Sequence, residues 1–303
     1  MVTTTDSESE SFFKGPGFIK LDSMTLVKIE DSDAESFLQG QLTNDLNLLE
    51  ERCGQINAYC TPKGRALAIF QLFRDKDCFW MLIPHDIADS LLKRLRMYVM
   101  RSKVTFTIQD TDTYIGVIGK SPPEICDHPS TFALNDHFQR TLIVNESQAI
   151  DTGDSNDSIA DGNVWKLLDI RAGIPQVYAK TSEVFIPQHV NLDIIGGVNF
   201  QKGCYPGQEI VARLKYLGKS KQRMGRARIN KQENIAPGDS IFSEQRPNQK
   251  SGVIVDAVKL ADNRFEVSVM VPASKLDMKG LHLDSASGPE LDCLQLPYSI
   301  PVE

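Results

Sequence analysis

Lys202-Gly203-Cys204-Tyr205-Pro206-Gly207-Gln208-Glu209 is the stretch from which the rest of the chain is read. It precedes Ile210-Val211-Ala212-Arg213-Leu214-Lys215, whose composition reads as helix. Glycine reaches backbone angles closed to other residues and lets a ligand come close to the chain. Proline suits a first helical turn, where its missing N–H costs nothing. The pattern predicts Cys204 on a tight turn just ahead of a helix N-terminus. The helix dipole there favours thiolate over thiol by about 0.3–1 kcal/mol, and Lys202 adds a cation. Two readings stay open: a small structural cysteine in a turn, or a reactive or ligand-contacting thiol.

Upstream of this stretch, residues 1–15 are polar and acidic and are expected to be disordered. A first strand pair is predicted in Phe18–Leu21 and Thr25–Ile29. Asp31 to Leu42 reads as a helix with Ser32 and Glu35 at capping-box spacing. Strands follow over Gln55–Cys60, Arg65–Phe73 and Cys78–Ile83, the first two joined by a turn at Thr61-Pro62-Lys63-Gly64. Ile87–Met100 is an amphipathic helix, followed by strands at Val104–Ile108 and Tyr114–Ile118. The stretch near 151–162 begins as an acidic loop of small residues, and Val164–Ala172 is a helix stopped by Gly173-Ile174-Pro175. From about Met224 short strands alternate with turns, which predicts a small β-barrel or sandwich. The residues alone give an α+β region over 16–223 and a small β unit over 224–303; the division of the first into two subdomains comes only with a family resemblance.

The 303 residues carry a net charge of −7, which disfavours broad binding to nucleic acid or an anionic membrane. Six cysteines are scattered with no Cys-x-x-Cys pair, and the N-terminus lacks a secretion signal. No apolar run is long enough to span a bilayer. These features predict a cytoplasmic protein with reduced thiols and no membrane contact. Five histidines are too far apart to predict a metal site. Gly218-Lys219-Ser220 mimics the end of a phosphate loop, but Arg213 stands where that motif needs glycine. Arg213, Lys215, Lys219, Lys221, Arg223, Arg226 and Arg228 form a basic run with no acidic residue. It reads either as a solvated helix and loop or as an anion site for glutamyl carboxylates or RNA phosphates. Trp165 reads either as core or as a face for a flat heterocycle.

The central octapeptide resembles the signature of the folate-binding YgfZ family, which is related to the aminomethyltransferase (T-protein) of the glycine cleavage system. Phe37-Leu38-Gln39-Gly40-Gln41-Leu42-Thr43-Asn44-Asp45, Lys63-Gly64-Arg65, Phe185-Ile186-Pro187-Gln188 and Leu296-Pro297-Tyr298-Ser299 agree with it in order and spacing, over nearly the whole chain. The resemblance implies an aminomethyltransferase-like folate-binding fold, with three subdomains around a central channel and a small C-terminal β-barrel. It implies tetrahydrofolate or a derivative as cofactor, in a channel near Trp165 and the cysteine turn. Met24 stands where the family has a second tryptophan, and a thioether still packs on a ring. The implied folate-binding set is Trp165, Met24, Lys202, Gly203, Tyr205, Gly207, Gln208, Glu209 and Arg213, with Cys204 as the reactive thiol. The related transferases use a carboxylate on the strand that here reads Arg65-Ala66-Leu67-Ala68-Ile69-Phe70, which has none. The resemblance therefore implies a monomeric accessory protein that supports iron–sulfur enzymes and tRNA modification, with direct RNA contact left open. A one-carbon transferase and a thiol-based redox or cluster-handling protein using Cys204 are the alternatives.

Overall fold

In the computed structural model, residues 17–119, 130–134, 138–146, 159–260 and 263–301 are described. The expected disordered N-terminus and most of the acidic loop lie outside them. Among the described residues sixteen strands run in chain order: β1 (Gly17–Ile19), β2 (Met24–Glu30), β3 (Gly54–Cys60), β4 (Ala66–Arg74), β5 (Cys78–Pro84), β6 (Thr105–Ile108), β7 (Tyr114–Ile118), β8 (Thr131–Ala133), β9 (Thr141–Val144), β10 (Ile159–Ala160), β11 (Gln222–Asn230), β12 (Ser240–Ser243), β13 (Arg246–Lys259), β14 (Arg264–Pro272), β15 (Leu281–Leu283) and β16 (Asp292–Leu294). Among the described residues four α-helices separate them: α1 (Ala34–Gln39), α2 (His85–Val99), α3 (Gly162–Ala172) and α4 (Gln208–Tyr216).

The strands form three sheets, ordered β10-β1-β7-β9-β8, β3-β4-β5-β2-β6 and β15-β12-β13-β14-β11-β16. All pairings are antiparallel except β1 with β10. The third sheet curls on itself. Leu283 donates to Pro289 and Leu291 to Leu281, and the chain then enters β16, which pairs with β11. Both outer strands are thereby engaged, which is how an all-antiparallel sheet removes its edges.

β1 and β2 do not pair with each other, contrary to the sequence expectation. β2 is a central strand between β5 and β6, buried along most of its length, while β1 pairs with β7 and β10. The predicted helix over 31–42 shrinks to six residues. Its N-cap is Asp33 and not Ser32, and the expected capping box does not form: the Asp33 carboxylate accepts from the Lys103 amide at 2.7 Å, and the Glu35 carboxylate pairs with Arg74 at 2.8 Å. The acidic loop ends sooner than expected, because Ile159–Ala160 adds to β1 and Asp161 caps α3 through the Asn163 amide at 2.9 Å. The boundary expected at 224 falls inside β11, which starts at Gln222.

Helix α2 lays Ile87, Ala88, Leu91, Leu92 and Leu95 on the middle sheet against Val27, Leu72 and Met81. A second core joins the first two sheets through Met24, Leu26, Phe73, Trp80, Phe132 and Trp165. A third fills the curled sheet. A fourth binds all parts together, with Cys60 and Ile69 from the middle sheet, Phe185 and Val190 from the connection, Val211 from α4, and Met224 and Val255 from the curled sheet. No described helix is long and apolar enough to cross a membrane.

Candidate functional site

Segments 37–45, 63–65 and 185–188 all meet the 202–209 turn or the helix that follows it, while Tyr298 of segment 296–299 packs at Gly173. Gly207 caps α4 at φ +83, and an added Cβ would lie 2.4 Å from the Thr61 carbonyl oxygen and 2.6 Å from Gly64 Cα. Gly64 itself sits at φ +69, with an added Cβ 2.9 Å from Ile210 Cβ. Two glycines thus let two turns interlock backbone to backbone, an approach no side chain could allow. Lys202 is buried and reaches away from the turn. Its Nζ donates to the carbonyls of Gln39 at 2.8 Å and of Leu42 and Asn44 at 2.7 Å. Burial pushes its pKa down to about 8, against the raising effect of Asp45. Tyr205 is buried, with Lys202 Nζ 5.5 Å from its ring centroid, and burial raises its hydroxyl pKa well above the usual range. Gln188, of the third segment, donates to the Val211 carbonyl of α4 at 2.6 Å. Tyr298, of the fourth, donates to the Gly173 carbonyl at 2.8 Å.

What this assembly leaves outward is short. Gly203, Cys204 and Glu209 are exposed, and a Cβ on Gly203 would meet nothing within 4 Å. Gln208 is half-buried, 3.4 Å from the Lys202 carbonyl. Cys204 stands four residues ahead of α4, on the turn the sequence predicts, and Lys202 donates its ammonium to carbonyls rather than to the thiol. Arg213 is exposed on α4. The basic run divides. Arg223 is buried and paired with Asp193 at 2.9 Å, and Arg226 and Arg228 lie 3.4 and 4.0 Å from the buried Glu266. Only Arg213, Lys215, Lys219 and Lys221 remain on the surface.

Met24 and Trp165 come together elsewhere. They line a cavity of about 50 Å³ with Lys166, Asp169, Gln176 and Tyr178, and none of residues 202–209 borders it. Helix α3 supplies Trp165, Lys166 and Asp169 from consecutive turns. Its stop at Gly173, φ +68, turns the chain so that Gln176 and Tyr178 return to the same place. Trp165 is 3% exposed. Its ring carbons seat where a Cβ on Gly116 would be, 2.6 Å away, and the Arg140 guanidinium lies 4.5 Å from its centroid. It therefore walls the cavity as part of the core.

The polar side of the cavity is richer than the sequence suggests. Asp169 is held by Arg140 at 2.7 Å and accepts from Gln176 Nε2 at 3.3 Å. The other end of that amide, Gln176 Oε1, is buried without a hydrogen-bond partner among the described residues. Behind them Asp256, fully buried, accepts from the Tyr178 hydroxyl at 2.9 Å and pairs with Lys166 at 2.8 Å. Burial raises the Asp256 pKa although both partners lower it, and burial with the Asp256 charge raises that of Tyr178. A buried amide oxygen left unpaired costs about 1–3 kcal/mol, a cost a donor placed there would relieve; Gln41, Gln188 and Gln222 share that state, but only Gln176 borders this cavity. No motif marks these residues. The only sequence signal is the helix stop at Gly173-Ile174-Pro175.

No family model matches the chain. An uncharacterized protein of Haemophilus influenzae is 35% identical over 286 residues, covering 93% of this chain and 98% of that one. The tRNA-modifying protein YgfZ of an Enterobacter species is 30% identical over 307 residues, with 93% of each chain covered. The chain belongs to the YgfZ family. The YgfZ protein of Escherichia fergusonii is also 30% identical, over 313 residues and 92% of each chain. The fold resembles that of the glycine cleavage system aminomethyltransferase T of Bartonella henselae, at a TM-score of 0.66 and 13% identity, over 93% of this chain and 86% of that one. The expected aminomethyltransferase-like fold, with its small C-terminal β unit, is therefore the fold of this YgfZ-family chain.

Proposed function

We propose that this chain binds a reduced folate at the Met24–Trp165 cavity and acts as an accessory factor in tRNA modification that supports iron–sulfur enzymes. The observation that carries the reading is the unpaired Gln176 Oε1 beside the Asp169 carboxylate, in a cavity walled by an indole and a thioether. A pteridine edge offers adjacent N–H donors, which is what an amide oxygen next to a carboxylate accepts. Asp169 and Gln176 would hold that edge, and Met24 and Trp165 would flank the ring, while Lys166 stays with the buried Asp256. About 50 Å³ accommodates the polar edge of a ring. Met24 is the unbranched, adaptable wall that can yield to the rest. A reduced folate supplies a one-carbon carrier when bound. The names of the relatives support the tRNA half of the reading. β4 carries no carboxylate, which favours an accessory role over aminomethyl transfer.

The test is calorimetry of tetrahydrofolate on the intact protein and on Gln176→Met. We expect binding to the first and at least about a tenfold loss, or 1.4 kcal/mol, in the second at unchanged melting temperature. Absence of binding to the intact protein overturns the folate site. An unchanged profile of modified nucleosides in tRNA from cells lacking the protein overturns the cellular role. A second reading, thiol chemistry at Cys204 gated by folate, is favoured by the exposure of that one side chain on a turn otherwise tied down.

A further inference from the structure

Two cationic segments with exposed apolar side chains stand out on a chain of net charge −7. From Ser90 to Gln109 there are five Lys or Arg and no Asp or Glu. Met97, Tyr98 and Met100 are 63, 47 and 88% exposed there. A groove of about 290 Å³ opens beside them, with apolar walls from Leu67, Leu91 and Met97 and cations from Lys93 and Arg94. Neither cation has a carboxylate partner among the described residues, and Arg94 Nε is buried without a hydrogen bond. Two acidic residues lie in the first half of the same helix: Asp86 is committed to the Ala179 amide at 2.9 Å, and Asp89 is exposed one turn before Lys93, outside the groove lining. The cationic surface stops at Arg101, because Asp33 and Asp31 hold the Lys103 amide and the Thr105 hydroxyl.

The second segment repeats this chemistry. Arg213, Lys215, Lys219 and Lys221 are exposed and have no carboxylate partner among the described residues, beside Tyr216 and Leu217 at 65 and 83% exposure. The entry to β4 connects the two. Gly64 packs on Ile210 of α4, Leu67 lines the groove, and Lys63 and Arg65 lie exposed between them.

We propose that the C-terminal half of α2, residues 63–67 and the outer side of α4 form one surface that binds RNA. The reading rests on the proposed role in tRNA modification and adds direct binding, which that role does not require. Cations without carboxylate partners suit phosphates, and each cluster carries an exposed tyrosine on which an unstacked base can lie. The apolar walls of the groove suit a flat base. An acidic polypeptide would use the cations and leave the aromatic and apolar groups in water.

The test is fluorescence anisotropy with a labelled tRNA transcript and the full chain, over a salt series, with tetrahydrofolate calorimetry on the same samples. The variants are Lys93→Glu, Lys215→Glu, their combination and Tyr98→Ala, with Lys250→Glu on the curled sheet as control. All four positions are exposed, so the fold is retained. We expect about threefold weaker binding for each single lysine reversal and at least tenfold for the pair. The salt slope should fall by about one for each phosphate that is no longer neutralised. Lys250→Glu should change neither RNA nor folate binding. No RNA binding by a protein that binds folate overturns the surface and leaves the folate site standing. RNA binding unchanged in the double variant also overturns it. Competition by polyglutamate at equal charge concentration would assign the surface to an acidic protein instead.

Discussion

The turn at 202–209 and the cavity at Trp165 invert the usual relation between a motif and a site. The turn has the most specific sequence in the chain, yet most of it is explained by packing: Gly207 against Gly64, Lys202 in three carbonyls, Tyr205 in the core. The cavity has no motif, yet it is lined by an unpaired amide oxygen beside the buried Asp169 carboxylate, and Lys166 and Tyr178 in its wall hold a second buried carboxylate, Asp256. A pattern of glycines and a lysine reports that backbones must approach, and that need is as strict for folding as for binding. A binding site made from separate turns of one helix and the chain after it has no fixed spacing to recognise.

The comparison breaks first at Gly207. If the turn is an architectural joint, Gly207→Ala should be the most damaging single change in it. The new Cβ would have to sit 2.4 Å from the Thr61 oxygen at φ +83. We expect a loss of about 3 kcal/mol or more, read as a large fall in melting temperature. A melting temperature within a degree of the parent would mean that the two turns can separate freely, and that the motif is kept for a ligand.

How much of this is legible in the sequence follows the same division. The strands from Gly54 to Pro84 and the helix after them are readable because apolar runs between turn residues report burial locally. The pairing of β1 is not, because a three-residue strand acquires its partners from β7 and β10, far along the chain. The length of α1 is overestimated because the capping box expected of Ser32 and Glu35 does not form: Asp33 is the N-cap, and the Glu35 carboxylate is paired with Arg74, far along the chain. Trp165 stands out in the sequence and Met24 only through the family resemblance, and the structure brings them together. Asp169 and Gln176 do not, since one carboxylate in a helix and one glutamine after a proline carry no spacing signal. The basic run reads as one feature, but three of its arginines point to buried or half-buried carboxylates.

The next effect in size is at Lys202. Lys202→Met removes three hydrogen bonds from a charged donor and leaves the carbonyls of Gln39, Leu42 and Asn44 to find others. Bonds to charged groups contribute about 1.5–3 kcal/mol each, and relief of the buried charge offsets part of this. A net loss of roughly 2 kcal/mol is expected, measured by urea unfolding, with tetrahydrofolate affinity unchanged within about twofold. Intact stability with lost affinity would move Lys202 from the joint to the ligand, and the two regions would then be one site.

Cys204→Ser should have the smallest effect on folding and therefore says most about purpose. The side chain is exposed, lies outside the Gly207–Gly64 joint and outside the cavity lining, and makes no hydrogen bond that the fold depends on. Surface exchanges of this kind stay within about 0.5 kcal/mol. Serine keeps the size and removes the thiol, so stability and folate affinity should both match the parent. The informative measurement is the cellular tRNA-modification profile. A profile lost with both physical properties intact would show that the joint exists to present one sulfur, and that the cavity governs when it is used. A profile retained would leave the turn as architecture from end to end, and the function would lie with Asp169, Gln176 and their neighbours.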